Sequence, residues 1–310
     1  MRIGIDLGGT NLAGGLVSDD GKLIFKTSIP TVCDKGELGL MEEILNVVNI
    51  LLENEAASNV TSIGIGVPGH VDEKAGLVVT CENVPFKNTL LSEFITKNTN
   101  LPCYLGNDAN AAALGEVLAG CAKDYENAVM ITLGTGVGAG LIFNKKIFSG
   151  CNGSAGELGH VCLFPDGIEC ICGRRGCFEL YASATALKNQ TRDAMKNNPD
   201  SKLWHFAKTL DAVNGKTAFD AMRAGDKTGK KVVSYYIRYL SIGVLDIINL
   251  LFPDAIIFGG GISREGETLL APLRKIIAKE CYSTYGKQPA LLIAELGNDA
   301  GIIGAAFLGV

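Results

Sequence analysis

The sequence predicts an α/β protein built as two domains. Three observations lead there. Strand-like apolar runs alternate with helix-patterned segments along the chain. Glycine clusters close several of those strands, at "DLGGT", "LGTGVG" and "FGGGIS". Finally, the opening "RIGIDLGGTNLAGGLV" is echoed by "AVMITLGTGVGAGLIF" further on, as in a duplicated fold. The boundary is expected near Ala119.

A chain of 310 residues with 47% hydrophobic content can bury a core in each domain. Its formal net charge of -5 argues against nucleic acid or anionic lipid as partners. The start lacks the apolar stretch of a signal peptide, and no apolar run is long enough to span a bilayer. A cytoplasmic location is therefore expected, with the ten cysteines as thiols or metal ligands and not disulfides.

The elements follow in order. "RIGIDL", "TNLAGGLVS" and "KLIFKTS" read as a strand meander with a glycine turn after the first strand. Leu38 to Asn54 has helical spacing of apolar residues, and "TSIGIGVPG" returns to a strand. A weaker helix is expected over Leu90 to Asn98. "PCYLGND" reads as a short strand, and "ANAAALGEVLAG" as a helix with Asp108 placed to cap it. After the second strand–turn–strand comes a long helix within Asp226 to Phe252. "DAIIFGGGIS" is a buried strand, followed by a helix near Gly266 to Glu280, the strand "ALLIAEL" and a small-residue helix "AGIIGAAFLG".

The glycine turns suggest phosphate. At Gly8, Gly9 and Thr10 backbone N–H groups can approach an anion without side-chain interference, and Asp6 can act on a hydrated Mg²⁺. Gly134, Thr135 and Gly136 repeat the pattern. Gly259, Gly260 and Gly261 end a buried strand, where α/β proteins commonly bind ligands. Each turn alone is equally a plain hairpin. A P-loop is absent, and the G-x-G-x-x-A run at Gly134 leads into a strand, not the helix a dinucleotide fold requires. A nicotinamide dehydrogenase is demoted accordingly.

Seven stretches spread over essentially the whole chain are "DLGGTN", "GIGVPG", "GNDANAAALGE", "LGTGVGAG", "GCNGSAGELGH", "CICGRRGCFE" and "IFGGGIS". On them the chain resembles the ROK sugar kinases, a group within the actin-like, hexokinase-like ATPases. The resemblance implies two ribonuclease H-like domains with a cleft between them, one of residues 1–118 completed by 297–310, the other of residues 119–296. It implies ATP with Mg²⁺ on the glycine turns, at Asp6, Gly8, Gly9, Thr10, Asn11, Gly134, Thr135, Gly136, Gly259, Gly260 and Gly261. The γ-phosphoryl passes to a hexose 6-hydroxyl, with Asp108 as the catalytic base. Hexose contacts carried over are Gly69, Asn83, Asn107, Asp108, Glu157, His160 and Glu179. Glucose is the expected substrate, with N-acetylglucosamine, N-acetylmannosamine or fructose as alternatives, and a homodimer the expected assembly. Sugar-sensing repressors also occur in the family; they carry an added DNA-binding domain, and an acidic chain that starts on the first phosphate strand is not expected to be one. The stretch "ENVPFKN" departs from the family, which often has tryptophan shortly after the asparagine; Phe86 stands nearby. His70 follows Gly69 where a smaller or apolar residue is expected, and the resemblance assigns it no role.

His160, Cys170, Cys172 and Cys177 fit a structural Zn²⁺ site of one nitrogen and three thiolates. Gly173 and Gly176 allow tight turns between closely spaced ligands. The CxC spacing argues against a thioredoxin-like redox motif. Cys162, two positions from His160, competes as fourth ligand, and the resemblance favours His160. Loss of the metal is expected to weaken hexose binding ahead of ATP binding, because the glycine turns lie elsewhere in the chain.

Overall fold

The computed structural model describes residues 1–81, 83–283 and 285–310. The first sheet begins as the meander read from the sequence: β1 (Arg2–Leu7), β2 (Asn11–Val17) and β3 (Leu23–Pro30), paired antiparallel. Helix α1 (Gly36–Leu52) buries Leu40, Ile44, Val47, Val48 and Leu51, the stripe that its apolar spacing predicts. The chain returns in β4 (Ile63–Val67), parallel to β1, and later in β8 (Cys103–Asn107), parallel to β4. The sheet order is β3-β2-β1-β4-β8. Between these last two strands lie β5 (Gly69–Asp72), β6 (Leu77–Cys81) and β7 (Lys87–Thr89), a small antiparallel sheet, and α2 (Leu91–Thr99). Helix α3 (Asp108–Leu118) starts directly from β8.

A second sheet is ordered β11-β10-β9-β12-β13, from β9 (Ala128–Leu133), β10 (Val137–Phe143), β11 (Lys146–Ile147), β12 (Ala255–Gly259) and β13 (Ala290–Ile293). Its helices are α4 (Glu179–Ala182), α5 (Ala184–Asn197), α6 (Leu203–Phe206), α7 (Thr217–Arg223), α8 (Lys227–Leu251) and α9 (Glu267–Glu280). The chain ends in α10 (Asp299–Ala306). It divides into two compact units, one of Met1–Val129, Gly140–Gly156 and Ala294–Val310, the other of Met130–Ala139 and Glu157–Ile293. Among the described residues no helix is long and apolar enough to cross a membrane.

Within the first unit, α10 packs on α3, β1 and β4. The approach is close enough that only glycine fits. A Cβ at Gly64 would lie 1.8 Å from the Ala305 carbonyl oxygen, and one at Gly4 1.9 Å from that of Ile302. On the helix side, a Cβ at Gly304 would lie 1.7 Å from the Ala111 oxygen. Buried Glu116 on α3 secures the approach to α10 by accepting the Leu296 N–H at 2.9 Å.

The structure departs from the sequence reading in three places. The β5–β6–β7 sheet is additional; its strands are three to five residues long, too short to show an alternation. Helices α4 to α7 are also additional: α4, α6 and α7 are four to seven residues long, too short to show a period, and polar Thr191 interrupts the buried stripe of α5. Last, Asp108 does not cap α3. Asn107 does, its Oδ1 accepting from the Ala109 and Asn110 N–H groups, while Asp108 is the first helical residue.

The glycine seat of α10 makes a testable contrast. Gly64→Ala is expected to lower unfolding stability by at least about 2 kcal/mol, since backbone must move. Gly261→Ala, whose Cβ would meet nothing within 4 Å, should change it by less than about 0.5 kcal/mol. Urea denaturation of both variants checks this; equal losses would contradict it.

Candidate active site

Strands β1, β4 and β8 run parallel, and their carboxyl ends carry Asp6, Gly69 just beyond β4, and Asn107 with Asp108. Ligands in open α/β sheets bind at such ends. Asn107 organises this corner. Its Oδ1 takes the Ala109 N–H at 2.9 Å and the Asn110 N–H at 3.2 Å, and its Nδ2 donates to the Gly69 carbonyl at 3.2 Å. With the capping done by Asn107, the Asp108 carboxylate accepts the Ala109 N–H at 2.9 Å. Burial raises the pKa of Asp108 above the ordinary carboxylate range. Asp6 is raised to about 6, first by burial and then by the charge of Asp108. Two half-buried carboxylates thus share one corner. Gly301 of α10 makes room for Asp6: a Cβ there would lie 2.6 Å from the Asp6 Oδ2.

The Gly8–Asn11 turn is held tightly. The Gly8 N–H is spent on the Asn11 carbonyl at 2.9 Å, and Thr31 Oγ1 donates to the Gly8 carbonyl at 2.7 Å. A Cβ at Gly9 would come 3.2 Å from the Asn83 Cβ, so Asn83 stands beside the turn. A cleft of about 560 Å³ is lined by Asp6, Gly8, Gly9, Thr10 and Asn11 together with the ion pair Lys26–Asp299, 2.9 Å apart. Thr31, Gly301 and Cys81 are residues the sequence reading did not single out. Cys81 pairs across from Gly69, where a Cβ would lie 2.7 Å from its Sγ. Burial and the charge of Asp108 push its thiol up to about 11. Only the small-residue pattern of the last helix pointed toward Gly301; nothing in the motifs pointed to the other two.

The second unit holds the remaining residues. The Gly134–Thr135–Gly136 turn closes by a Gly134 N–H bond to the Gly136 carbonyl at 3.1 Å, and the side of Gly134 is open. Gly260 has φ of +81° and is pressed on the Leu133 carbonyl, where a Cβ would come within 2.5 Å. The two glycine turns of this unit are therefore neighbours. Glu157 accepts the His160 N–H at 3.1 Å, which sets both on one short turn.

Four donors converge there. His160, Cys170, Cys172 and Cys177 place their ligand atoms within 4.8 Å of one another. His160 Nδ1 is 3.7 Å from Cys170 Sγ, and the Cys172 and Cys177 sulfurs are 3.6 Å apart. A disulfide needs about 2.05 Å. A tetrahedral zinc with bonds of about 2.0–2.3 Å separates its ligands by distances of this size, so the residues fit the ion. Cys162 lies outside the cluster and donates to the Arg175 carbonyl at 3.2 Å. Glu179 Oε1 sits 3.7 Å from His160 Nδ1 and 3.6 Å from Cys170 Sγ. Its other oxygen lies where a Gly136 Cβ would point, 2.5 Å away. Gly159 rests on the Val137 carbonyl, with 2.3 Å left for a Cβ. The metal loop and the Gly134–Gly136 turn are therefore in contact, although they lie apart in the sequence.

These features define a class: the two-domain, actin-like and hexokinase-like α/β fold. The ROK family model matches residues 2–309, and the chain belongs to the ROK family. It is 36% identical over 305 residues to a glucokinase of Thermotoga maritima, covering 98% of this chain and 95% of that one. A solved ROK family glucokinase from Streptomyces griseus, in complex with glucose and AMPPNP, is 34% identical with a TM-score of 0.78, over 98% of this chain and 97% of that one. A ROK family transcriptional regulator, a homologue of the E. coli MLC protein, is 28% identical with a TM-score of 0.84, over 99% of this chain and 77% of that one.

Two measurements address the site. Elemental analysis should find one zinc per chain, lost in Cys172→Ser and retained in Cys162→Ser; retention in both would contradict the four-donor cluster. The second concerns Asp6. Its acid form is favoured in the folded state, so its contribution to stability falls as pH rises from about 4 through about 6. A rise from 3.8 to about 6 corresponds to about 3 kcal/mol. Asp6→Asn, without metal or nucleotide, should gain that much relative to wild type between pH 4 and pH 7; parallel stability profiles would refute it.

Proposed function

We propose that this chain is an ATP-dependent hexose kinase that phosphorylates glucose at its 6-hydroxyl. The observation that carries the reading is the half-buried Asp108, freed from capping by Asn107 and set beside Asp6 at the ends of parallel strands. Phosphoryl transfer needs a group that orients the hydroxyl and takes its proton as the bond to phosphorus forms. Asp108 fills that role, and the raised proton affinity that burial confers suits a base. Asn83, Asn107, Glu157, His160, Glu179 and the backbone at Gly69 offer paired donors and acceptors to sugar hydroxyls.

ATP lies on the Gly8–Asn11, Gly134–Gly136 and Gly259–Gly261 turns, where the absence of side chains lets phosphate approach the backbone. Mg²⁺ accompanies ATP and offsets charge on the transferring group. Asp6 would serve that ion, whose charge would favour the ionised form of its carboxylate. His160, Cys170, Cys172 and Cys177 would hold zinc, which would cross-link the loop and supply no step of the reaction. Nδ1 of His160 faces the thiols, which leaves Nε2 for the sugar. Glu179 is held by the same loop.

ADP release with a panel of glucose, N-acetylglucosamine, N-acetylmannosamine and fructose tests the reading. Glucose should show the highest kcat/KM, and a higher value for an N-acetylated hexose would overturn the choice of sugar. Asp108→Asn should lower kcat by about 10²–10⁴-fold while glucose still binds. Near-normal turnover in that variant would remove Asp108 from the reaction.

A further inference from the structure

His70 belongs to none of the groups assigned above, yet it stands next to Gly69, whose carbonyl Asn107 holds. The pairing of β5 with β6 shifts register between His70 and Val71. Such irregularities re-aim side chains, often beside active sites. Here the His70 ring is turned to Ser154, with Nδ1 and Oγ 3.2 Å apart.

Two further contacts join the same stretches. A Cβ at Gly153 would come 2.6 Å from the Val71 carbonyl, so the backbone lies flat against β5. Ser149 Oγ donates to Glu73 Oε2 at 3.3 Å. The Ala155 N–H closes the loop on the Ser149 carbonyl at 3.0 Å. Residues 70–73 thus hold the 149–156 segment at three points, and that segment leads into Glu157 three residues after Ser154.

We propose that His70 is a positioning residue for hexose binding: it holds Ser154, and with it the segment that delivers Glu157, to the strand whose first residue is bonded to Asn107. The proposal rests on the reading that Glu157 and Asn107 contact the hexose. The physical need is specific to this loop. Gly150, Gly153 and Gly156 all have positive φ, of 75°, 80° and 95°. A run so rich in glycine loses much conformational freedom on ordering. Fixing it before the sugar arrives removes that cost from binding. The chemistry at Asp108 is untouched, because the Asn107 cap on α3 does not involve His70.

His70→Ala should raise the KM for glucose by about 3- to 10-fold, the worth of one net hydrogen bond. The KM for ATP and kcat should stay within about twofold of wild type. Ser154→Ala should give the same change, and the double variant no more than either alone. His70→Asn, which keeps a polar atom near the place of Nδ1, should restore binding; His70→Gln, whose amide reaches further, should not. Amide hydrogen exchange without any ligand should quicken over residues 150–156 in His70→Ala and return to normal in His70→Asn. That readout holds whatever the substrate. Unchanged exchange in both His70→Ala and Ser154→Ala overturns the proposal. So does an unchanged glucose KM in an enzyme that turns glucose over. A wild type that phosphorylates no hexose defeats the functional reading instead, and exchange still decides the role of His70 in holding the loop.

Discussion

The first unit depends on how closely α10 sits on its neighbours. Backbone meets backbone at Gly4, Gly64 and Gly304, at distances where no Cβ fits. Packing of this kind gains dispersion contacts along the whole helix and admits weak Cα–H···O contacts. It also places Gly301 against the Asp6 carboxylate, so the seat of the helix and the position of an acidic group are one constraint. Glu116 extends the constraint by binding the Leu296 N–H just before the helix.

That seat explains the electrostatics of the corner. Asp6 is enclosed by α10 and faces Asp108, so it is pushed toward its acid form. Carboxylates with raised pKa values cluster at sites where a cation or a proton transfer uses them. The division of labour between Asn107 and Asp108 belongs to the same design. An amide side chain satisfies two helix N–H groups and the Gly69 carbonyl, and the carboxylate next to it stays available.

In the second unit the four-donor cluster and the Gly134–Gly136 turn meet through Glu179. One carboxylate oxygen lies beside His160 and Cys170, the other beside Gly136. A metal held by the cluster would therefore stiffen more than its own loop. It would fix His160 and the carboxylate that borders a glycine turn, the kind of outer-shell coupling that makes structural metals matter to binding.

Much of this was legible in the residues. Strand and helix alternation, the meander, the long helix within Asp226 to Phe252 and the final small-residue helix all came from periodicity and glycine placement, because burial on one face imposes those periods. The cysteine and histidine spacing pointed to a metal loop, since four short-range ligands leave few other uses for such a run. Tertiary structure alone decided the rest. The fourth donor beside the three thiols is His160 and not Cys162, a matter of which side chain the loop turns inward. Asn107 and not Asp108 caps α3, although either residue type suits the position; the backbone leaving β8 enters the helix one residue earlier. Thr31, Cys81 and His70 find their partners through strand pairing and loop closure across tens of residues. Local spacing carries no record of such contacts, because they exist only once the sheet has brought the strands side by side.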